Sequence, residues 1–165
     1  MISKELKKLS GSVLGIGLNE KEKNILEKNK NVVECYLLDS NSKGSSKEKG
    51  RAKIINIKKI RKTFRKKSFD YIVANFEEVK PYLRSFIKNS IYLNKDKIYF
   101  YNINDFELEE LEKRYKRYNT KIDINKDLFI IDNSNSKTNI LKNIVFYFND
   151  LIYDVIDYIG KILTN

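Results

Sequence analysis

Histidine is absent from the 165 residues, which removes imidazole acid–base catalysis, Ser-His-Asp triads and histidine-ligated metals at a stroke. Cysteine occurs once, at Cys35, so neither a disulfide framework nor a thiolate zinc site can be built, and no metal is expected. Cys35 sits in Val32-Val33-Glu34-Cys35-Tyr36-Leu37-Leu38, an apolar run that reads as a strand, and a thiol there is expected in the core. Proline also occurs once, as Pro81, and no Pro-rich linker divides the chain. Nowhere do eighteen apolar residues run together, so no membrane-spanning helix is expected. The apolar stretch after Lys4, Lys7 and Lys8 covers only Val13 to Leu18 and holds two glycines. That is too short for a signal-peptide core, and a cytoplasmic protein is expected. Chemistry in such a chain must rest on positioning, carboxylates, amides, tyrosines or a bound cofactor.

What is present is enough apolar material for a core, 41% of the residues, and a large positive charge with a specific address. Residues 43–67 hold nine lysines and three arginines against the single Glu48, a net +11 that equals the net charge of the whole chain. Outside that segment 21 bases balance 21 acids. Local excess of this kind suits a polyanion, and Lys58, Lys59, Lys62, Arg65 and Lys66 are the candidate nucleic-acid contacts. A solvated helix face beside a loop would carry the same composition.

Short apolar runs alternate with helical patterns, as in βαβ units around a mainly parallel sheet. Ile2, Leu6 and Leu9 suggest an opening helix. Strands are expected at Val13–Ile16, Val32–Leu38, Ile54–Ile57, Phe69–Ala74 and Lys97–Tyr101. Lys121–Asn125 and Leu128–Ile131 would close the sheet as an antiparallel hairpin. Between them, Asn19–Lys30 reads as a polar helix, and Ile57, Ile60 and Phe64 mark a basic one. Val79, Tyr82, Leu83, Phe86 and Ile87 give the clearest helical spacing, with Pro81 in the first turn. A further helix starts at Asp105, its expected cap, and runs to about Tyr118. Tyr115 and Tyr118 lie among basic residues, but their spacing of three fits packing on a sheet better than base stacking. Asp39 to Ala52 is Ser-, Gly- and Lys-rich and reads as a loop. The fold class expected is therefore α/β, a mostly parallel sheet of about seven strands, in one domain over residues 1–138. Residues 139–165 would form a long, broadly apolar helix that packs on the domain or on a second copy as a homodimer.

Five strands alternating with helices, then a helix and a hairpin, resemble the sheet of class I S-adenosylmethionine-dependent methyltransferases over about residues 12–132. Val13-Leu14-Gly15-Ile16-Gly17-Leu18-Asn19 resembles that family's Gly-rich turn after the first strand, and Asp39 stands where the family places an acid on the cofactor ribose. Ser68-Phe69-Asp70-Tyr71-Ile72-Val73-Ala74-Asn75-Phe76 is similar to its run into the fourth strand. The resemblance implies S-adenosylmethionine as cofactor, Gly15, Gly17, Asn19 and Asp39 as its contacts, and Asn75 as a candidate for the acceptor site. Methyl transfer from a sulfonium depends mostly on orientation, so a chain without histidine is no obstacle.

The chain departs from the family at definite positions. Gly15 stands where an acid is usual, and Asn19 where a second turn glycine is usual. The helix between the second and third strands is replaced by the loop 39–52. Ile57 and Lys58 follow the third strand in place of an acid, and Asn75-Phe76-Glu77-Glu78 replaces the Asn-Pro-Pro-Tyr signature of amino-methylating members; Glu77 and Glu78 could act as a base, but acids in a helix's first turn are ordinary dipole partners. Three readings of function follow: a methyltransferase acting on a nucleic-acid or other anionic substrate, a degenerate relative that keeps the sheet as a binding or adaptor module, or an assembly protein whose main feature is the final helix.

Overall fold

The computed structural model describes residues 2–38, 60–116, 118, 120–125, 128–134, 152 and 155, with the side chains of 61 and 62 left out. Among the described residues six strands, against the about seven expected, form one sheet: β1 (Gly11–Ile16), β2 (Val32–Leu38), β3 (Phe69–Asn75), β4 (Asn94–Tyr101), β5 (Lys121–Asn125) and β6 (Leu128–Asp132). Their spatial order is β2-β1-β3-β4-β6-β5. The first four run parallel, and β6 pairs antiparallel with both β4 and β5. The expected strand at 54–57 lies outside the described residues. So does the division at 138/139 and most of the expected C-terminal helix. Of the latter, Ile152 and Val155 are helical, and about half exposed at 53% and 50%.

Burial of both faces explains why the central strands are apolar at nearly every position. Side chains alternate across the sheet. Leu14, Ile16, Ile72, Ala74, Ile98 and Phe100 enter one core. Val13, Val73, Tyr99 and Tyr101 enter the other. Helices α1 (Ile2–Leu6) and α2 (Glu20–Lys28) cover the second face with Ile2, Leu6 and Leu26. The first face is covered by α3 (Ile60–Thr63), α4 (Phe76–Val79), α5 (Leu83–Leu93) and α6 (Asp105–Lys116). Phe100 is its centre, with edge-to-face contacts to Phe76, Phe86, Tyr115 and Phe129. Tyr115 is fully buried with its hydroxyl 2.9 Å from Ser90 Oγ, and Tyr118 packs against the same core. Both tyrosines pack, as their spacing implied.

Two details of the helices differ from expectation. The helix after β3 starts at Phe76, passes through a 3-10 turn at Lys80–Tyr82, and resumes as α5. Pro81 is the cause, because it has no N–H for the ladder and its ring crowds the carbonyl four residues back. The cap of α6 is Asn104, not Asp105: Asn104 Oδ1 accepts from the Glu107 N–H at 2.9 Å, and Glu107 Oε2 accepts from the Asn104 N–H at 3.3 Å.

At the amino edge of the sheet, Asp70 ties β3 to β1. Its Oδ2 accepts from the Ser12 N–H and lies beside the Ser12 hydroxyl, each at 2.8 Å, while Lys95 donates to Oδ1 at 3.2 Å. Gly11, at φ +72°, makes the approach possible, since a Cβ there would lie 2.3 Å from Asp70 Oδ2. Burial raises the carboxyl's pKa, but the Ser12 hydrogen bonds and the Lys95 charge outweigh it and hold the group below its ordinary 3.8. The stability contributed is therefore present above that value and lost as pH falls through and below it. With a third of the side chain exposed, screening keeps the effect modest. Asp70→Ala is expected to cost about 1–2 kcal/mol at pH 7. The difference from wild type should shrink towards pH 2.5 in urea unfolding, and a pH-independent difference would contradict this role.

Candidate functional site

In an open α/β sheet the ligand crevice lies at the carboxyl ends of the strands, where the chain switches direction. Here that point falls between β1 and β3, because β2 lies on one side of β1 and β3 on the other. Strand register places Gly15 beside Leu37 and Val73, and Ile16 beside Leu38 and Ala74. Asn75 is level with Tyr101. Gly15, Gly17, Asn19 and Asn75 are thus brought to one edge. Asp39 follows the last residue of β2 and lies outside the described residues, as do Lys58 and Lys59. Lys62 belongs to α3, its side chain undescribed, whereas Arg65 and Lys66 are exposed on the approach to the amino end of β3, away from the crevice.

Each turn residue is engaged within the chain. Gly15 is buried, and a Cβ there would meet Leu18 Cδ1 at 2.6 Å and Leu37 Cδ2 at 3.0 Å. Leu18 is itself only 5% exposed, so it fills the space that a side chain at position 15 would need. Gly17 adopts φ +63°, a conformation that costs a side-chain-bearing residue, and its N–H donates to Leu38 O at 3.0 Å. A Cβ on Gly17 would lie 2.3 Å from Glu78 Cγ and 3.3 Å from Asn75 Cβ. The close approach that glycine allows is therefore taken by the first turn of α4.

Asn19 closes a capping box on α2. Its Oδ1 accepts from the Glu22 N–H at 3.0 Å, and Glu22 Oε2 accepts from the Asn19 N–H at 2.9 Å. Glu22 is buried, and the same oxygen accepts a 2.7 Å hydrogen bond from the Tyr101 hydroxyl. That hydroxyl is also 3.4 Å from Gly17 O. Burial raises the Tyr101 pKa, and the hydrogen bond to Glu22 with the charges of Glu22 and Glu78 raises it further. Tyr101 therefore stays a neutral donor at physiological pH. Asn75 sits at the N-cap position of α4 without capping it, and Oδ1 accepts from Asn102 Nδ2 at 3.4 Å.

Leu18, Glu22 and Tyr101 are the residues that the sequence did not single out. Only Glu22 left a readable signal: asparagine followed three residues later by glutamate is a capping-box pattern. Among the described residues no group of three or more His, Cys, Asp or Glu side chains could hold a metal, and no helix is long and apolar enough to cross a membrane. Burial, with the Glu27 charge, pushes the Cys35 thiol up to about 12, which suits an inert core residue.

A class I cofactor placed on this turn would need the faces of Gly15 and Gly17 open and the head of α2 available. Leu18 and Leu37 occupy the first, Glu78 the second, and the Asn19–Glu22 box the third. The Cβ directions of both glycines and the N–H groups of Asn19 and Glu22 are thus engaged within the chain, while Gly17 is half-buried and Asn19 exposed.

No family model and no curated protein matches the chain. Solved structures do. Precorrin-6y C5,15-methyltransferase from Geobacter metallireducens GS-15 superposes with a TM-score of 0.57 at 9% identity, covering 79% of this chain and 84% of that one. The methyltransferase domain of bacterial CtHen1 gives 0.55 at 11% identity, over 79% and 93%. Ribosomal protein L11 methylase from Lactobacillus delbrueckii subsp. bulgaricus gives 0.54 at 14% identity, over 79% and 75%. The chain thus has a class I S-adenosylmethionine-dependent methyltransferase-like fold.

Proposed function

We propose that this chain uses the methyltransferase sheet as a binding module, with the cofactor turn closed by its own side chains. The observation that carries the reading is the pair of filled glycine faces: Leu18 over Gly15, and Glu78 over Gly17. Both contacts would have to open before a ligand could sit against the turn. Opening the first would also uncover Leu18 from an apolar core, and fully exposing a leucine costs about 1.5–3 kcal/mol. The backbone N–H groups of Asn19 and Gly17 offer no compensation, since both are already taken.

The second reading, an S-adenosylmethionine-dependent methyltransferase, is favoured by the fold and by Asn75 standing level with Tyr101 at the carboxyl edge. Its cofactor would require Leu18 and Glu78 to swing away, with Asp39 completing the site. Amide chemical shifts separate the two readings. Titrating the full-length, isotope-labelled protein with S-adenosylhomocysteine to millimolar concentration is expected to leave the resonances of Gly15 to Asn19 in place. Saturable shifts confined to those residues and Asn75 would favour the enzyme. Binding of nucleic acid by residues 43–67 belongs to either reading, and Arg65 and Lys66 are exposed as such contacts must be.

A further inference from the structure

The parallel strands have a second edge, where they begin, and the C-terminal end of α2 reaches it. From Lys7, Lys28 and Lys30 there, an open groove of about 780 Å³ runs along α2 past Ile25 to Lys21 in the helix's first turn. We propose that this groove binds the phosphate backbone of a nucleic acid, independently of sequence and without using the Gly15–Gly17 turn.

Charge is the first argument. The groove lining contains no acid, and among the described residues none of the four lysines has an ion-pair partner. Their neighbours behave differently: Lys8 pairs with Glu5 and Lys23 with Glu20, both at 2.7 Å. The helix thus sorts its charges, keeping paired ones off the groove and unpaired cations in it. A second cavity, of about 610 Å³ between α5 and α6, sets the contrast. Its lining pairs Lys80 with Glu107 and Arg114 with Glu110, so less charge is left for a ligand. Lys28, in the last turn of α2, would suit the helix dipole in any case. Lys7 follows the end of α1 and has the same reason, but Lys21, in the first turn of α2, gains nothing from the dipole.

Chemistry narrows the partner. All four cations are lysines, which act as point charges; none is an arginine, whose planar fork matches a carboxylate with two bonds. No aromatic side chain lines the groove, so bases cannot stack in it. What remains is contact with successive phosphates. Lys21 and Lys28 are seven residues apart, about 10 Å along the helix axis, so one small anion could not engage the whole row.

The test uses the full chain and a fluorescent twelve-nucleotide single-stranded oligouridine, read by anisotropy from low to moderate salt. Each phosphate neutralised on a single strand contributes about −0.7 to the slope of log K against log salt. Changing Lys7, Lys21, Lys28 and Lys30 together to glutamine should flatten the slope by roughly 3 and lower the low-salt affinity at least tenfold. Lysine and glutamine have similar helix propensities, and circular dichroism checks that α2 persists. The matching glutamine variant of Lys58, Lys59, Lys62, Arg65 and Lys66 should leave the groove's share of the slope intact. An unchanged slope in the groove variant would overturn the proposal. Displacement of the RNA by polyglutamate at equal charge concentration would overturn it in favour of an acidic protein partner.

Discussion

Gly15→Asp, which restores the acid usual at this turn in the resembled family, is expected to destabilise the protein by about 4 kcal/mol. The new side chain would start 2.6 Å from Leu18 Cδ1 and 3.0 Å from Leu37 Cδ2, and its carboxylate would enter an apolar cluster. Overpacking and an unpartnered buried charge act in the same direction. For a chain of this length the loss corresponds to a fall in melting temperature of roughly 8–16 °C. Leu18→Ala alone is a core truncation and should cost about 2–4 kcal/mol. Together the two should cost less than their sum by about 1–3 kcal/mol, because the alanine vacates the space that the aspartate needs. Strict additivity would mean that Leu18 is not what excludes a side chain from position 15.

Gly17→Val tests the other filled face, with an expected loss of about 3 kcal/mol. Part of it is backbone strain, since a β-branched residue at φ +63° costs about 1–2 kcal/mol. The rest is collision with Glu78, whose Cγ lies 2.3 Å from the position of a Cβ on Gly17. Glu78→Gly in the same chain should remove the collision, which Glu78 Cβ at 2.6 Å shares with Cγ, and leave the strain together with the roughly 1 kcal/mol that glycine costs in a helix. Thermal melts of the two variants therefore divide the effect. A Gly17→Val protein as stable as wild type would show that the glycine is not required by packing, and a ligand would again be its best explanation.

Much of the sheet was legible because its strands are short, apolar on both faces and separated by polar helices. Val32–Leu38 was placed to the residue, while β4 begins three residues before the expected Lys97, at Asn94. That start escaped notice because Asn94-Lys95-Asp96 carries no apolar alternation. It pairs through Asn94, whose side-chain amide donates to Asp70 O and Lys97 O at 3.0 and 2.9 Å. The split of the helix after β3 was written in Pro81, yet the spacing of Val79, Tyr82, Leu83, Phe86 and Ile87 is the same for an unbroken helix. Both accounts put those residues on the core.

The site was legible in position but not in state. Gly15, Gly17, Asn19 and Asn75 do meet at the carboxyl edge, because they follow strands that lie side by side. What closes the turn comes from Leu18, one residue on, and from Glu78, about sixty residues away. Nothing in the pattern Gly-Ile-Gly-Leu-Asn says which way Leu18 folds. Glu78 read as an ordinary acid in a helix's first turn, and its contact with Gly17 exists only once β1 and β3 are paired. Tyr101 was placed in a strand by alternation, but its partner Glu22 belongs to a different helix. The groove lysines were invisible for a similar reason: Lys7 meets α2 only in the folded chain, and outside residues 43–67 bases and acids cancel in number.

Whether the turn is closed is decided most directly by the melting temperature of the full-length protein with and without millimolar S-adenosylmethionine. A ligand held only by the folded state at one hundred times its dissociation constant would add about 2.7 kcal/mol, a rise of roughly 5–10 °C for a chain of this size. With Leu18 and Glu78 on the glycine faces, the expected shift is within the error of the measurement, and calorimetric titration of the same sample should give no heat of binding. A saturable rise of several degrees that Gly17→Ala removes would contradict the closed turn and return the chain to the cofactor-using methyltransferases.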